Sequence, residues 1–366
     1  MSGFLSAIES QRVYIIAEAG VNHNGDIKLA LELVDAAVAA GADGVKFQTF
    51  SVEQLVAAGT PKANYQNGVG QPAESQAQML EKLALSESEH RQLQKYCLKQ
   101  GIDFLSTPFD CGSLKFLVND LGLDVIKLSS GAITHGPLLL AAGESGANII
   151  LSTGLSSLGE VEQALMILSY GMLNSSVAPS LSAFASAYHS KPGHKILQER
   201  VTLLHCTSQY PAPIADLNLR AITTLKDSFA INVGFSDHSK GIIAPLAAVA
   251  SGAVVVEKHF TLDCNMTGPD HKASLSVDEL AEMVRGVRDV ELALGSAEKS
   301  CTVSEEENRV VVRGSLTALV DIPAGEVFTE KNMGVKRPGR GVSPVNYWAW
   351  LGKRAGRDFL KDEAIE

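Results

Sequence analysis

The sequence predicts an α/β protein: a closed (β/α)8 TIM barrel followed by a small β-rich domain. Three observations lead there. Short β-branched runs alternate with amphipathic stretches eight times along the chain. Runs such as VIKL and VVVE lack the period-two alternation of a half-exposed strand. They therefore suit parallel strands covered on both faces. No G-x-G-x-x-G follows the first run, which counts against an open dinucleotide-binding sheet.

The eight runs occupy 14–20, 44–50, 103–109, 124–130, 148–154, 201–207, 231–237 and 253–260. Helical stretches lie between them, among them 26–40 and 86–100. The first of these opens on Gly25–Asp26 and stops at Gly41, both good helix boundaries. Two segments break the rhythm. Residues 51–85 carry Gly59, Pro61, Gly68, Gly70 and Pro72, and a long loop after a barrel strand reads as a substrate loop. Residues 171–200, with six Ser between 175 and 190, read as a surface insertion containing some helix. The last barrel helix should span 276–294, closing a barrel domain over 1–294. A polar linker over 295–308 then leads to short β-like runs and Pro/Gly turns over 309–366. That tail holds ten Lys/Arg against seven Asp/Glu, whereas the rest of the chain carries a net charge of −13. The opposite signs suggest docking of the small domain on a barrel, its own or a partner's.

The chain has 366 residues, 45% hydrophobic and 20% charged, which excludes a disordered chain. Five Cys with no C-x-x-C exclude a disulfide scaffold and point to free thiols in a reducing cytoplasm. The first twenty residues lack a basic segment followed by an apolar one, so no secretory signal is expected. No apolar run approaches the roughly 20 residues of a membrane span. A net charge of −10 argues against nucleic-acid binding, while leaving room for an anionic substrate held by a few cations in one pocket.

Barrel enzymes carry their chemistry at the carboxyl ends of the strands. Polar residues gather there in this sequence. They are Glu18; Lys46 and Gln48; Thr107; Lys127 and Ser130; Ser152; His205 with Tyr210 beyond; Ser236, Asp237 and His238; and Glu257, Lys258 and His259. His238 and His259 end neighbouring strands, about 4.8 Å apart, so their imidazoles can share one divalent ion. Either histidine alone could equally be a hydrogen-bonded packing residue, and His205 reads as one. Lys46 and Lys127 face a barrel mouth and need an anion or a carboxylate partner. Lys127 could alternatively form a Schiff base. Lys258 should alternate away from His259 and sit outside the ring.

Taken together, IAEAGVNHNGD, VKFQTF, STPFD, IKLSSG, ILSTG, LLHCT, GFSDHS, VEKHFTLD and GPDHKASL resemble the sialic acid synthase family. The tail, RGSLTALVDIPAGEVFTEKNMGVKRPGRG, resembles that family's antifreeze-like (SAF) domain. The resemblance implies condensation of phosphoenolpyruvate with an N-acylated amino sugar and water, giving a nonulosonic acid and phosphate. It implies His238 and His259 as ligands of Mn2+ or Mg2+, with Glu18 near the reacting centre. Lys46, Thr107, Lys127, Ser130, Ser152 and Ser236 would hold phosphoenolpyruvate; Gln48, Tyr210 and Asp270 would contact the sugar. Ser208 stands where some members carry a sugar-binding Asn. Arg337 would reach into the partner's barrel in a domain-swapped homodimer. Ser130–Gly131 resembles N-acetylneuraminate and legionaminate synthases more than pseudaminate ones, which makes N-acetylmannosamine the first expected acceptor and a 2,4-diacetamido-trideoxy hexose the second.

One position departs from the family pattern. Ala132 stands where an acidic residue follows the Ser-Gly pair. Glu18, Asp237 or a water would then have to substitute, or the chain would be a weakly active or non-catalytic sugar-binding relative. A different metal-dependent barrel enzyme, a hydrolase or isomerase, also remains open from the residues alone, but it leaves Lys46 and Lys127 unexplained.

Overall fold

The computed structural model describes residues 3–57, 59–62 and 75–366. The chain forms two compact units, Met1–Gly295 and Ser296–Glu366. In the first unit the order is α1 (Gly3–Glu9), β1 (Tyr14–Gly20), α2 (Ile27–Ala40), β2 (Gly44–Thr49), α3 (Val52–Leu55), α4 (Gln76–Glu81), α5 (Glu87–Gln100), β3 (Asp103–Pro108), α6 (Cys111–Lys115) and β4 (Val125–Leu128). It continues with α7 (Gly136–Glu144), β5 (Asn148–Ser152), α8 (Leu158–Met172), α9 (Leu181–Tyr188), α10 (Lys191–Arg200), β6 (Val201–Cys206), α11 (Ala221–Phe229), β7 (Asn232–Asp237), α12 (Ile243–Ala250), β8 (Val255–His259) and α13 (Val277–Leu294). The eight strands pair in parallel in the order β3-β2-β1-β8-β7-β6-β5-β4. β3 and β4 lie side by side and complete the TIM barrel, although no hydrogen-bonded ladder joins them among the described residues.

Local sequence sets the helix ends. Asp26 accepts from the Lys28 N–H to open α2, and Gly41 closes it at φ 80°. Ser86 and Glu89 form a capping box on α5, as Ser276 and Glu279 do on α13.

Alternation along the strands divides the barrel interior into storeys. Tyr14, Ile16, Leu105, Val125, Ile150, Leu204 and Val255 form an apolar floor, closed from below by Phe4 and Ala7 of α1. Two residues further along these strands stand Glu18, Thr107, Lys127, Ser152, Cys206 and Glu257. Gly44 makes room for the floor: a Cβ there would lie 2.6 Å from the Tyr14 hydroxyl. The strands' other faces pack against the helices in the main core, with Ile15, Phe47, Ile126, Leu203 and Phe235 fully buried.

The structure changes two details of the sequence reading. Gly171 and Met172 end α8 rather than open an insertion. A Cβ on Gly171 would meet the Gly143 Cα at 3.0 Å, so the pair lets α7 and α8 approach closely. The excursion beyond them consists of α9 and α10. Residues 303–312, read as linker and β-like run, fold as α14 (Val303–Val312), where the Glu305 carboxylate accepts from the Thr302 N–H at 3.0 Å. The Gly68, Gly70 and Pro72 part of the expected substrate loop lies outside the described residues.

After α14 the second unit carries the antiparallel pair β9 (Ser315–Ala318) and β10 (Met333–Lys336), then α15 (Tyr347–Trp350). Its own small core holds Leu316, Ile322, Phe328, Met333, Phe359 and Ile365. Among the described residues no helix is long and apolar enough to cross a membrane. All five cysteines are free thiols.

The turn after β1 is buried, and His23 within it is 1% exposed. Burial and the neighbouring His90 lower its pKa to about 4. A base with a folded pKa below its unfolded value of about 6.5 binds fewer protons when folded. Its contribution is complete above pH 6.5 and is lost as pH falls toward 4. Urea midpoints across that window should fall less steeply in His23→Gln than in the wild type; parallel curves would contradict the assignment.

Candidate active site

A cavity of ≈ 440 Å³ opens at the carboxyl ends of the strands. Of the thirteen candidate residues, twelve line it: Glu18, Lys46, Gln48, Thr107, Lys127, Ser130, Ser152, Tyr210, Ser236, His238, His259 and Asp270. Arg337 is exposed just beyond β10 on the second unit.

The centre is a buried charge cluster. Lys46 Nζ lies 2.5 Å from Glu18 Oε2, 3.6 Å from Glu257 Oε2 and 3.0 Å from the Thr107 hydroxyl, to which it donates. Lys127 Nζ donates to Glu257 Oε1 at 3.2 Å, and the Ser236 hydroxyl donates to the same oxygen at 2.7 Å. All four charged residues are at least 96% buried. Burial pushes the Glu18 carboxyl up to about 7 against the opposing charge of Lys46. Burial also disfavours the charge of Glu257, but Lys127 and Lys46 outweigh it and hold its pKa below the usual range. Burial opposes the charge of Lys46 too, yet Glu18 and Glu257 prevail and raise its pKa. For Lys127 burial wins, and the pKa is lowered despite Glu257. The Ser152 hydroxyl is buried without a partner, and Ser130 Oγ accepts from the Gly154 N–H at 3.0 Å. Unsatisfied donors beside two ammonium groups suit a phosphate or carboxylate.

Beside this cluster the ring centres of His238 and His259 lie 5.4 Å apart, with the Tyr210 ring 4.0 Å from His238 at a tilt of 35° and edge-on to His259. His238 Nδ1 donates to the Thr207 carbonyl at 2.8 Å, leaving Nε2 as the ring's lone-pair nitrogen. Burial lowers the affinity of His238 for a proton, but Cys206 and the Thr207 carbonyl outweigh it and raise the pKa. His259 is held well below its usual value by burial and the charges of His238 and Lys46. Its Nδ1 is buried without a hydrogen-bond partner, 3.9 Å from Asp270 Oδ2. A neutral imidazole with an unused ring nitrogen beside a second imidazole and a carboxylate fits a divalent ion. Among the described residues no set of three or more His, Cys, Asp or Glu closes around one point, so such an ion would need further ligands from water or substrate.

Glu257 is the strand-end residue to which sequence reasoning gave no role. Two-residue spacing from His259 was the available signal, since both point inward along β8. Asp237 lies elsewhere: its carboxylate pairs with the fully buried Lys258 at 2.5 Å and does not line the cavity, so it does not substitute at Ala132. Ala132 itself packs in the main apolar core, while Ser129, Ser130 and Gly131 of the same turn face the cavity. His205 Nε2 donates to the Leu217 carbonyl, 2.6 Å away, and the ring stacks on Phe235. Asn22 and His271 have a positional task. Asn22 donates to the Phe260 carbonyl and Ser274 hydroxyl, and His271 bonds Thr261 and Asn24. These bonds hold the loop that carries Asp270 over the cavity.

A barrel with charges of both signs gathered at the carboxyl ends of its strands is built as an enzyme for an anionic substrate. Comparison supplies the family. The NeuB family model matches residues 33–299, and the SAF domain model matches 313–366. An N,N'-diacetyllegionaminic acid synthase from Campylobacter jejuni is 45% identical over 97% of this chain and 99% of its own length. The human N-acetylneuraminate-9-phosphate synthase is 32% identical over 96% of this chain and 91% of its own. A crystal structure of an N-acetylneuraminic acid synthetase from Leptospira borgpetersenii, in complex with citrate, aligns at 35% identity and TM-score 0.64, covering 81% of this chain and 90% of that one. The chain belongs to the NeuB family and is an enzyme.

Removing Glu257 leaves two buried ammonium groups facing Glu18 alone. Glu257→Ala should lower unfolding stability by about 3–5 kcal/mol in urea. Inorganic phosphate should restore more melting temperature to the variant than it adds to the wild type. A variant as stable as the wild type in plain buffer would refute the role.

Proposed function

We propose that the enzyme condenses phosphoenolpyruvate with the open-chain form of an N-acylated amino sugar and water, releasing phosphate and a nonulosonic acid. The observation that carries this reading is the pair of buried lysines, Lys46 and Lys127, beside two imidazoles in one cavity. Names of synthases among the relatives support it.

In this reading Lys46, Lys127 and the hydroxyls of Thr107, Ser130, Ser152 and Ser236 orient the donor's phosphate and carboxylate. Its C3 then faces the sugar's C1, which is mainly catalysis by positioning. His238 and His259 would hold Mn2+ or Mg2+, which when bound polarises the acceptor carbonyl as a Lewis acid. The C3–C1 bond forms as the enol electrons leave C2 electron-poor. Water, guided by Glu18, adds to C2 and gives one proton to the sugar's C1 oxygen, which bond formation has left as an alkoxide, and the other to the departing phosphate. The C2–O bond to phosphate breaks, and C2 becomes the ketone of the product. Gln48, Tyr210 and Asp270 hold the sugar. Ser130–Gly131 resembles neuraminate and legionaminate synthases alike, so the acceptor is N-acetylmannosamine or, as the legionaminic acid relative favours, a 2,4-diacetamido-trideoxy hexose.

Phosphoenolpyruvate labelled with 18O in its bridging position should deliver the label to phosphate; label retained in the sugar acid would exclude the route. His238→Ala should lose both bound Mn2+, measured by elemental mass spectrometry, and at least 10²-fold in turnover. Retention of both properties would remove the metal assignment.

The same reading makes Arg337 a residue that enters the cavity of a second copy in a homodimer. Mixed dimers of Arg337→Ala and Lys127→Ala chains should then regain activity by restoring one intact site. Activity no higher than that of either variant alone would rule the exchange out.

A further inference from the structure

The cavity is polar on one side and apolar on the other, and the division follows the strands. Along β2 the inward series is Lys46, then Gln48, then Phe50 just past the strand end. Successive inward side chains are about 6.6 Å apart, so the lining passes from ammonium to amide to phenyl as it rises from the charge cluster. β3 repeats the change with Thr107 and Phe109, and β1 with Glu18 and Val21. Phe50 and Phe109 meet edge to face at 6.2 Å between ring centres. Above them α4 and the turn after it bring Met79, Leu80 and Leu83 against Val21, and these side chains line the same cavity. On the facing side stand Ser208, Tyr210, His238 and Asp270.

We infer that this apolar shelf is the acceptor-specificity element, and that it selects a sugar whose edge remote from the reacting carbonyl carries methyl groups rather than hydroxyls or phosphate. The inference rests on the synthase reading above. The donor occupies the lysine end, so the acceptor's carbon chain must extend outward past Gln48 to the shelf. A 6-deoxy carbon and a second acyl methyl would bury apolar surface there. A hydroxymethyl group would lose water without gaining a partner from these six side chains, and a phosphate would lose more. The matching class is a 2,4-diacetamido-2,4,6-trideoxyhexose. Apolar pockets reject an added hydroxyl by only about 10²-fold at best, so the preference should be a ratio, not an absolute exclusion.

The test uses the full-length enzyme with Mn2+ and phosphoenolpyruvate, reading phosphate release with a 2,4-diacetamido-2,4,6-trideoxyhexose and with N-acetylmannosamine. The wild type should favour the first by at least about tenfold in kcat/KM. Leu80→Gln and Phe109→Tyr each place a polar group on the shelf and should narrow the ratio severalfold, mainly through KM. A ratio is unaffected by loss of folded protein, so it reads specificity even in a weakened variant. Equal or better use of N-acetylmannosamine by the wild type would overturn the shelf and leave the synthase reading intact. So would a wild-type preference that neither substitution shifts. No phosphate release with either sugar would overturn both.

Discussion

Everything at the mouth of this barrel depends on keeping two ammonium groups inside protein. A buried lysine is costly unless carboxylates or hydroxyls surround it. Glu257 bridges Lys46 and Lys127, Glu18 closes on Lys46, and Thr107 and Ser236 supply the hydroxyls. These residues come from β1, β2, β3, β4, β7 and β8, so the cluster needs most of the barrel to exist at once. The apolar floor beneath it excludes water from below and leaves one open end. Pairing is also incomplete. Lys127 is less comfortable charged than Lys46, and Ser152 has no partner. That residual deficit is what an anion can fill.

The fold was legible because eight runs with buried-strand texture leave few alternatives. Twelve of the candidate residues meet in one cavity: period-two alternation sends the strand residues among them inward, and Ser130, Tyr210 and Asp270 reach it from turns beyond the strands. What sequence could not supply was the third dimension of that alternation. Glu257 was visible as a neighbour of His259, yet only the circular arrangement of strands reveals that it stands between two lysines on β2 and β4. Asp237 was just as visible, and alternation sends it outward to Lys258. Element ends were harder. Arg309 to Val312 looks like a strand because valine is β-branched, but a capping box at Thr302 starts a helix whose last turn holds those valines. Gly171 looked like loop punctuation and is instead a point of close helix contact.

Ala132 is informative in the same way. Its methyl group belongs to the packed layer between sheet and helices, whereas the cavity side of that turn is made by its predecessors. Among the described residues the carboxylates that do face the cavity are Glu18, Glu257 and Asp270. They differ in environment: Glu18 near neutrality, Glu257 firmly charged, and Asp270 raised to about 6 mainly by burial.

The unlaced join between β3 and β4 has a mechanical meaning. A hoop held by ladders everywhere but one place yields at that place first. Thr107 stands on one lip of the join and Lys127 on the other, so no ladder fixes the span between these two cavity-lining side chains. The barrel is in effect a split collar: among the described residues seven of its eight joins are laced by hydrogen-bonded ladders, and the eighth, in the wall of the cavity, is not.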